Sequence, residues 1–358
     1  MKQHSGIHVR IMGLATACML VLGINTALAS LIVSDGESVT FDTDAGSYSG
    51  DYSGTGFTVS GGVALFDFSA IDFQSGSTII FEGSNAVHLQ SDGAFTINTA
   101  LNVGGGSGTG GGTGGGGIIG GYDGGSDGSA GSGPGAGLEP ENSWHGGSGA
   151  GYGGEGGKGS LEDTAGQPYS NERLVDGLLG GSGGASGGDG DPGGGGAGGG
   201  AIRLEAGGLL SLQSGASILA HGGKGGNRIR AGGGGSGGTI SLLGDSIELD
   251  SEALIRANGG DGGETTTGSG RDGGGGGGGR ILFDADTLTI DGSTQDFGFL
   301  SSGQLSVAGG LGGQGRTESE LYGEDGAAGT IYFIPEPGSV LLLGLGGLML
   351  ALLRRKLR

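Results

Sequence analysis

Apolar and polar residues alternate in short runs along most of this chain, and one run keeps returning. It reads Thr78-Ile79-Ile80-Phe81, then Ala201-Ile202-Arg203-Leu204, Thr239-Ile240-Ser241-Leu242, Arg280-Ile281-Leu282-Phe283 and Thr330-Ile331-Tyr332-Phe333. A second apolar pair follows (Val87/Leu89, Leu210/Leu212, Ile247/Leu249, Leu288/Ile290), and then a third (Leu101/Val103, Ile218/Ala220, Ile255/Ala257, Leu305/Val307). A period of two predicts strands with one buried face, which puts Ile240 inside and Ser241 outside. Three short strands per unit, closed by Gly-Gly, predict a coil that cannot bury its apolar face alone and stacks on its neighbours. The expected fold is therefore all-β, a parallel β-helix with long glycine-rich loops leaving at one corner. A β-sandwich is the alternative, because alternating strands at short spacing also suit it.

The pattern changes along the chain. Residues 30–103 alternate without a helical period and predict further coils or an N-terminal cap. Residues 104–200 interrupt the repeat with Gly and Ser. Ordering so much backbone costs on the order of 100 kcal/mol, at roughly 1–2 kcal/mol per residue. Apolar groups such as Ile118, Ile119, Trp144 and Tyr152 are too few to offset it. This stretch is expected to be a mobile insert, dispensable to folding, with one short helix near 170–180. The clean repeats occupy 201–334, with Ile202, Ile240, Ile281 and Ile331 spaced 38, 41 and 50 residues apart.

Composition sharpens the picture at two points. Glycine supplies 100 of 358 residues, so length overstates the core. The net charge is −21, and six of the 16 Lys and Arg sit in the terminal segments, which argues against a basic nucleic-acid surface. The single cysteine, Cys18, lies in the N-terminal apolar run, so no disulfide is expected in the body. Lys2 and Arg10 precede that run (11–24), and Ala27, Ala29 and Ser30 form a small-residue cleavage site. Residues 1–29 thus read as a secretory signal peptide. Cys18 sits too far inside the run for a lipoprotein signal.

Candidate chemistry is sparse. Asp189 and Asp191 lie two apart and Lys224 follows; His221-Gly222-Gly223 and Arg228-Ile229-Arg230 loosely resemble the histidine-glycine and basic-Ile-basic elements of polygalacturonases, whose remaining motifs are missing, so a polysaccharide lyase or hydrolase is the alternative function; the plainer reading is that these residues solubilise glycine loops. His88, His145 and His221 are each isolated, without a second metal ligand at suitable spacing. Gly187-Gly188-Asp189-Gly190-Asp191 puts the aspartate one place early for the calcium nonapeptide, and no copy follows. No cofactor, catalytic residue or defined metal site is expected, only loose divalent cation binding by scattered carboxylates. A Gly-X-Y period and a Lys-Ser or Lys-Thr after a glycine run are both missing, which excludes collagen and phosphate loops.

The C-terminus is the most specific part. Pro335, Glu336 and Pro337 precede an apolar run, 340–353, read as a short transmembrane helix, and then the cluster Arg354, Arg355, Lys356 and Arg358. The charge places that cluster on the cytoplasmic side. In this order of parts, residues 335–358 closely resemble the PEP-CTERM sorting tail. The resemblance implies a Gram-negative-type envelope and an exosortase-type membrane peptidase as partner. It also implies transient inner-membrane anchoring, delivery to the cell surface or extracellular matrix, and association with exopolysaccharide. The expected function is that of an exported, non-catalytic surface or matrix protein.

Overall fold

The computed structural model describes residues 28–162, 164–169, 177–267, 270–290, 292–294, 304–315 and 322–334. Among the described residues it is all-β, with nineteen strands and no helix. Three parallel ladders carry the chain. The first joins Val63–Phe68, Ala86–Ser91, the opening halves of Ala201–Leu212, Thr239–Leu249 and Arg280–Ile290, and Thr330–Ile334. The second joins Leu31–Val33, Ile71–Phe73 and Phe95–Ile97 to the closing halves of the same long strands. The third stacks Ala100–Asn102, Ser217–Leu219, Leu254–Arg256 and Leu305–Ser306. These pairings are parallel, unlike the antiparallel sheets of a sandwich.

Period-two alternation sets what faces inward. Ala64, Val87, Ile202, Ile240 and Ile281 form one buried column, and Phe66, Leu89, Leu204, Leu242 and Phe283 the next. Leu101, Ile218, Ile255 and Leu305 form the matching column of the third ladder. Two sequence assignments change. Thr78-Ile79-Ile80-Phe81 does not share a ladder with Ile202: it pairs with Ser38–Asp42, and Val87 and Leu89 stand opposite Ile202 and Leu204. Ser241 does point away from Ile240, yet it is 0% exposed because that side of the strand is covered as well. At the N-terminal end Ser47–Gly50, Gly54–Thr55 and Thr58–Ser60 pair antiparallel and flank the first ladders.

The glycine tracts build a second body. Each excursion leaves after a third-ladder strand and is closed at its neck by the same bond. Gly200, Gly238, Gly279 and Gly329 donate to the carbonyls of Val103, Ala220, Ala257 and Val307, each at 2.7 Å. Within an excursion the bonds follow a rule of three. Gly232, Gly235 and Gly238 donate to Gly226, Gly223 and Ala220; Gly233 and Ser236 to Ala185 and Ser182; Gly234 and Gly237 to Gly274 and Gly277. The N–H direction therefore turns by a third of a revolution per residue, the period of the extended threefold helix of polyproline and collagen. Carbonyls of the same segment accept from Gly263, Gly196, Ala150, Gly260 and Gly199, so it is surrounded by hydrogen-bonded neighbours.

The stretch 104–200, expected to be a mobile, dispensable insert, contributes segments of backbone to this bundle. Most of its described residues lie in the bundle, and Ala185, Ala197 and Tyr152 are 0% exposed. The cost of ordering was weighed against side chains alone, whereas here backbones offset it by bonding to one another. Glycine is needed wherever two backbones approach most closely: a Cβ on Gly198 would lie 1.8 Å from the Gly181 carbonyl oxygen. Bundle and ladders meet at Tyr152, whose hydroxyl is 2.6 Å from Thr239 Oγ1 and donates to the Leu179 carbonyl at 3.1 Å. Arg280 lies over its ring at 5.1 Å. Residues 170–176, where a short helix was expected, lie outside the described residues.

Candidate functional site

Outward positions of the first ladder gather a group of ionisable side chains. Register puts Leu65, His88, Arg203, Ser241 and Leu282 in one column and Asp67, Gln90, Glu205, Leu243 and Asp284 in the next. His88 Nε2 lies 3.0 Å from Glu205 Oε2, with the two side chains 14% and 35% exposed. His88 was read as isolated; its partner is 117 residues away in sequence. Burial holds its imidazole below the usual histidine range, helped by Arg203 and opposed by Glu205. Burial raises the Asp67 carboxyl, with Asp92 and Glu205 adding repulsion. Asp284 is raised by burial and by Glu205, against the pull of Arg203. Asp67 Oδ1, Arg203 Nε and Ser241 Oγ are buried without a hydrogen-bond partner.

Chemically this patch offers two carboxyls held above the usual carboxylate range, an imidazole held below the usual histidine range beside a carboxyl group, and one guanidinium. Asp67 and Glu205 stand two strands apart, as do Glu205 and Asp284, which is about 10 Å along the ladder. Asp67, Arg203, Glu205 and Asp284 had no sequence signal, because only parallel stacking brings them together.

A second cluster lies where the glycine bundle ends. Arg228 Nε and Asp191 Oδ1 form an ion pair at 2.5 Å, and Arg230 Nη1 donates to the Asp189 carbonyl at 2.6 Å. The loose motif around 189–191 and 228–230 is thus one contact, with Ile229 accepting through its carbonyl from Arg271 N at 2.7 Å. Arg230 lies over the ring of Trp144 at 4.5 Å. His145 Nδ1 sits 2.9 Å from Glu162 Oε1, so it too has a partner; burial raises the Glu162 carboxyl, against the His145 bond.

His221 and Lys224 lie elsewhere. His221 Nδ1 accepts from Asn258 N at 3.2 Å, and burial, then Arg256, holds its ring below the usual range. Lys224 lines a shallow groove with Ser107 and Asn227. Among the described residues no three His, Cys, Asp or Glu side chains converge to hold a metal ion.

Of the processing residues, Ala29 and Ser30 are exposed, and the Ala29 carbonyl accepts from Ser69 N at 3.1 Å. Ala27, Pro335, Glu336, Pro337, Arg354, Arg355, Lys356 and Arg358 lie outside the described residues. Among the described residues no helix is long and apolar enough to cross a membrane. No protein-family model, no curated protein and no solved structure matches this chain.

Proposed function

We propose that the chain is an exported, non-catalytic surface or matrix protein, released at its C-terminal tail by an exosortase-type peptidase and associated with exopolysaccharide. Its body would be a parallel β-helix of three strands per turn, braced by the glycine bundle. One observation carries this reading: every described strand lies between the two expected processing signals. The first strand starts at Leu31, directly after Ser30, and the last ends at Ile334, directly before Pro335. A cut before Ser30 or after Ile334 would leave every described strand intact.

Changing Pro335, Glu336 and Pro337 to Ala-Gln-Ala leaves the apolar run and the basic cluster in place, so insertion and orientation are kept. The altered chain should stay in the inner-membrane fraction at full length. The unaltered chain should appear shortened, outside that membrane and without a tag placed after Arg358. Retention of the tag by the unaltered chain, in a host that has an exosortase, refutes the sorting reading.

A second reading, a polysaccharide hydrolase or lyase, draws on the His88–Glu205 pair between Asp67 and Asp284. Inverting glycosidases hold two carboxyls roughly 6.5–9.5 Å apart, with one pKa raised, and the backbones of Asp67 and Glu205 stand slightly farther apart, at about 10 Å. Release of reducing or unsaturated ends from a polysaccharide panel, lost in Glu205→Gln, would favour it over the first.

A further inference from the structure

Trp144 is the chain's only tryptophan and is 62% exposed. An indole facing water forgoes the burial that such a ring usually contributes. This one is nevertheless held in place. Trp144 N donates to Asn142 Oδ1 at 3.1 Å, and His145 N donates to the Asn142 carbonyl at 3.0 Å. The next side chain, His145, is pinned to Glu162, which is 7% exposed. Behind the indole, Arg230 is 7% exposed and tied to the Asp189 carbonyl, so one ring face is backed by a fixed guanidinium. The turn that carries Asp189 and Asp191 is joined to this loop by Gly188 N donating to the His145 carbonyl at 3.1 Å.

We infer that the open face of Trp144 is a stacking platform for a pyranose unit of a polysaccharide chain, with the Arg228–Asp191 pair hydrogen-bonding its hydroxyls. A pyranose presents an apolar C–H face to the negative face of the indole and a rim of hydroxyls that both donate and accept. Asp191 supplies an acceptor and Arg228 donors, their side chains 29% and 47% exposed. A nucleobase would stack equally well, but its phosphates would meet a chain of net charge −21. A cationic ligand would be repelled by Arg230 on the far face. Because the ring is positioned before binding, little ordering cost falls on the complex. The inference rests on the polysaccharide reading above and gives it a site.

The lone tryptophan makes the test direct. The full chain is run through native gels containing xylan, β-glucan, alginate or polygalacturonate, and its tryptophan emission is titrated with the same polymers. Retardation in at least one gel, an emission shift with that polymer, and at least a tenfold loss of affinity in Trp144→Ala at an unchanged melting temperature are expected. Trp144→Phe should keep most of the binding. If the unaltered chain is retarded but its emission stays constant, the site is wrong and the polysaccharide reading survives; this outcome needs no variant to fold. If no gel retards the unaltered chain, both are overturned.

Discussion

Gly235 lies in the middle of the glycine bundle and has no room for a methyl group. A Cβ there would meet the Ala197 carbonyl oxygen at 1.9 Å, the Ala197 carbonyl carbon at 2.4 Å and the Gly196 carbonyl oxygen at 2.8 Å. All three are backbone atoms, so no side chain can swing aside, and restoring ordinary contact means parting two segments by about 1.5 Å. That movement breaks into bonds from Gly235 N to the Gly223 carbonyl at 3.0 Å and from Gly260 N to the Gly235 carbonyl at 2.8 Å. Two buried backbone bonds lost at about 1–3 kcal/mol each, less about 0.4–1 kcal/mol gained by stiffening the unfolded chain, leave roughly 3 kcal/mol of destabilisation. For a chain of 358 residues that is a drop of about 4–5 °C. Gly116 is the control: it is exposed, has no atom within 4 Å of its virtual Cβ, and its backbone suits alanine. Gly116→Ala should melt unchanged or slightly higher. Thermal circular dichroism of both variants decides the matter. Equal melting temperatures would refute the close backbone packing on which the bundle depends.

Joining Val103 to Ala201 through a short linker should abolish cooperative melting, because the deleted stretch supplies the carbonyls of Ala185 and Ser182 that receive Gly233 and Ser236; an unchanged melt would show that the bundle is not needed. Ile240→Asp should unfold the chain, leaving an unpaired charge at a fully buried core position, and Ser241→Asp should also lower the melting temperature, since that residue is 0% exposed. Burial holds His88 and His221 below the ordinary histidine value of 6.5, so below that pH the unfolded chain takes up protons first. Their contribution is present above 6.5 and lost as pH falls toward the lowered folded values, so the melting temperature should drop on acidification. The double change to glutamine should flatten that slope, and an unaltered slope would remove these rings as its source.

What the sequence determined by itself is local and periodic. Alternation at Ile202-Arg203-Leu204 and its repeats settles which side chains are apolar enough to share a face, and stacking equivalent strands is the cheapest way to bury them. The third-strand set Leu101, Ile218, Ile255 and Leu305 was legible for this reason, and it is one ladder column. Pairing between units is a different matter. Nothing in Thr78-Ile79-Ile80-Phe81 distinguishes it from Ala86–Ser91 as the partner of Ala201–Leu212, and tertiary packing chose the latter. The contacts of His88 with Glu205 and of Arg230 with Trp144 were likewise invisible, because each joins residues that only stacking or bundling makes neighbours. The glycine tracts show the limit most plainly. Their sequence carries no apolar pattern and so reads as loop, yet the absence of a Cβ is what lets their backbones approach and satisfy one another's hydrogen bonds. That satisfaction exists only when several tracts lie side by side, and only the assembled tertiary structure brings them there.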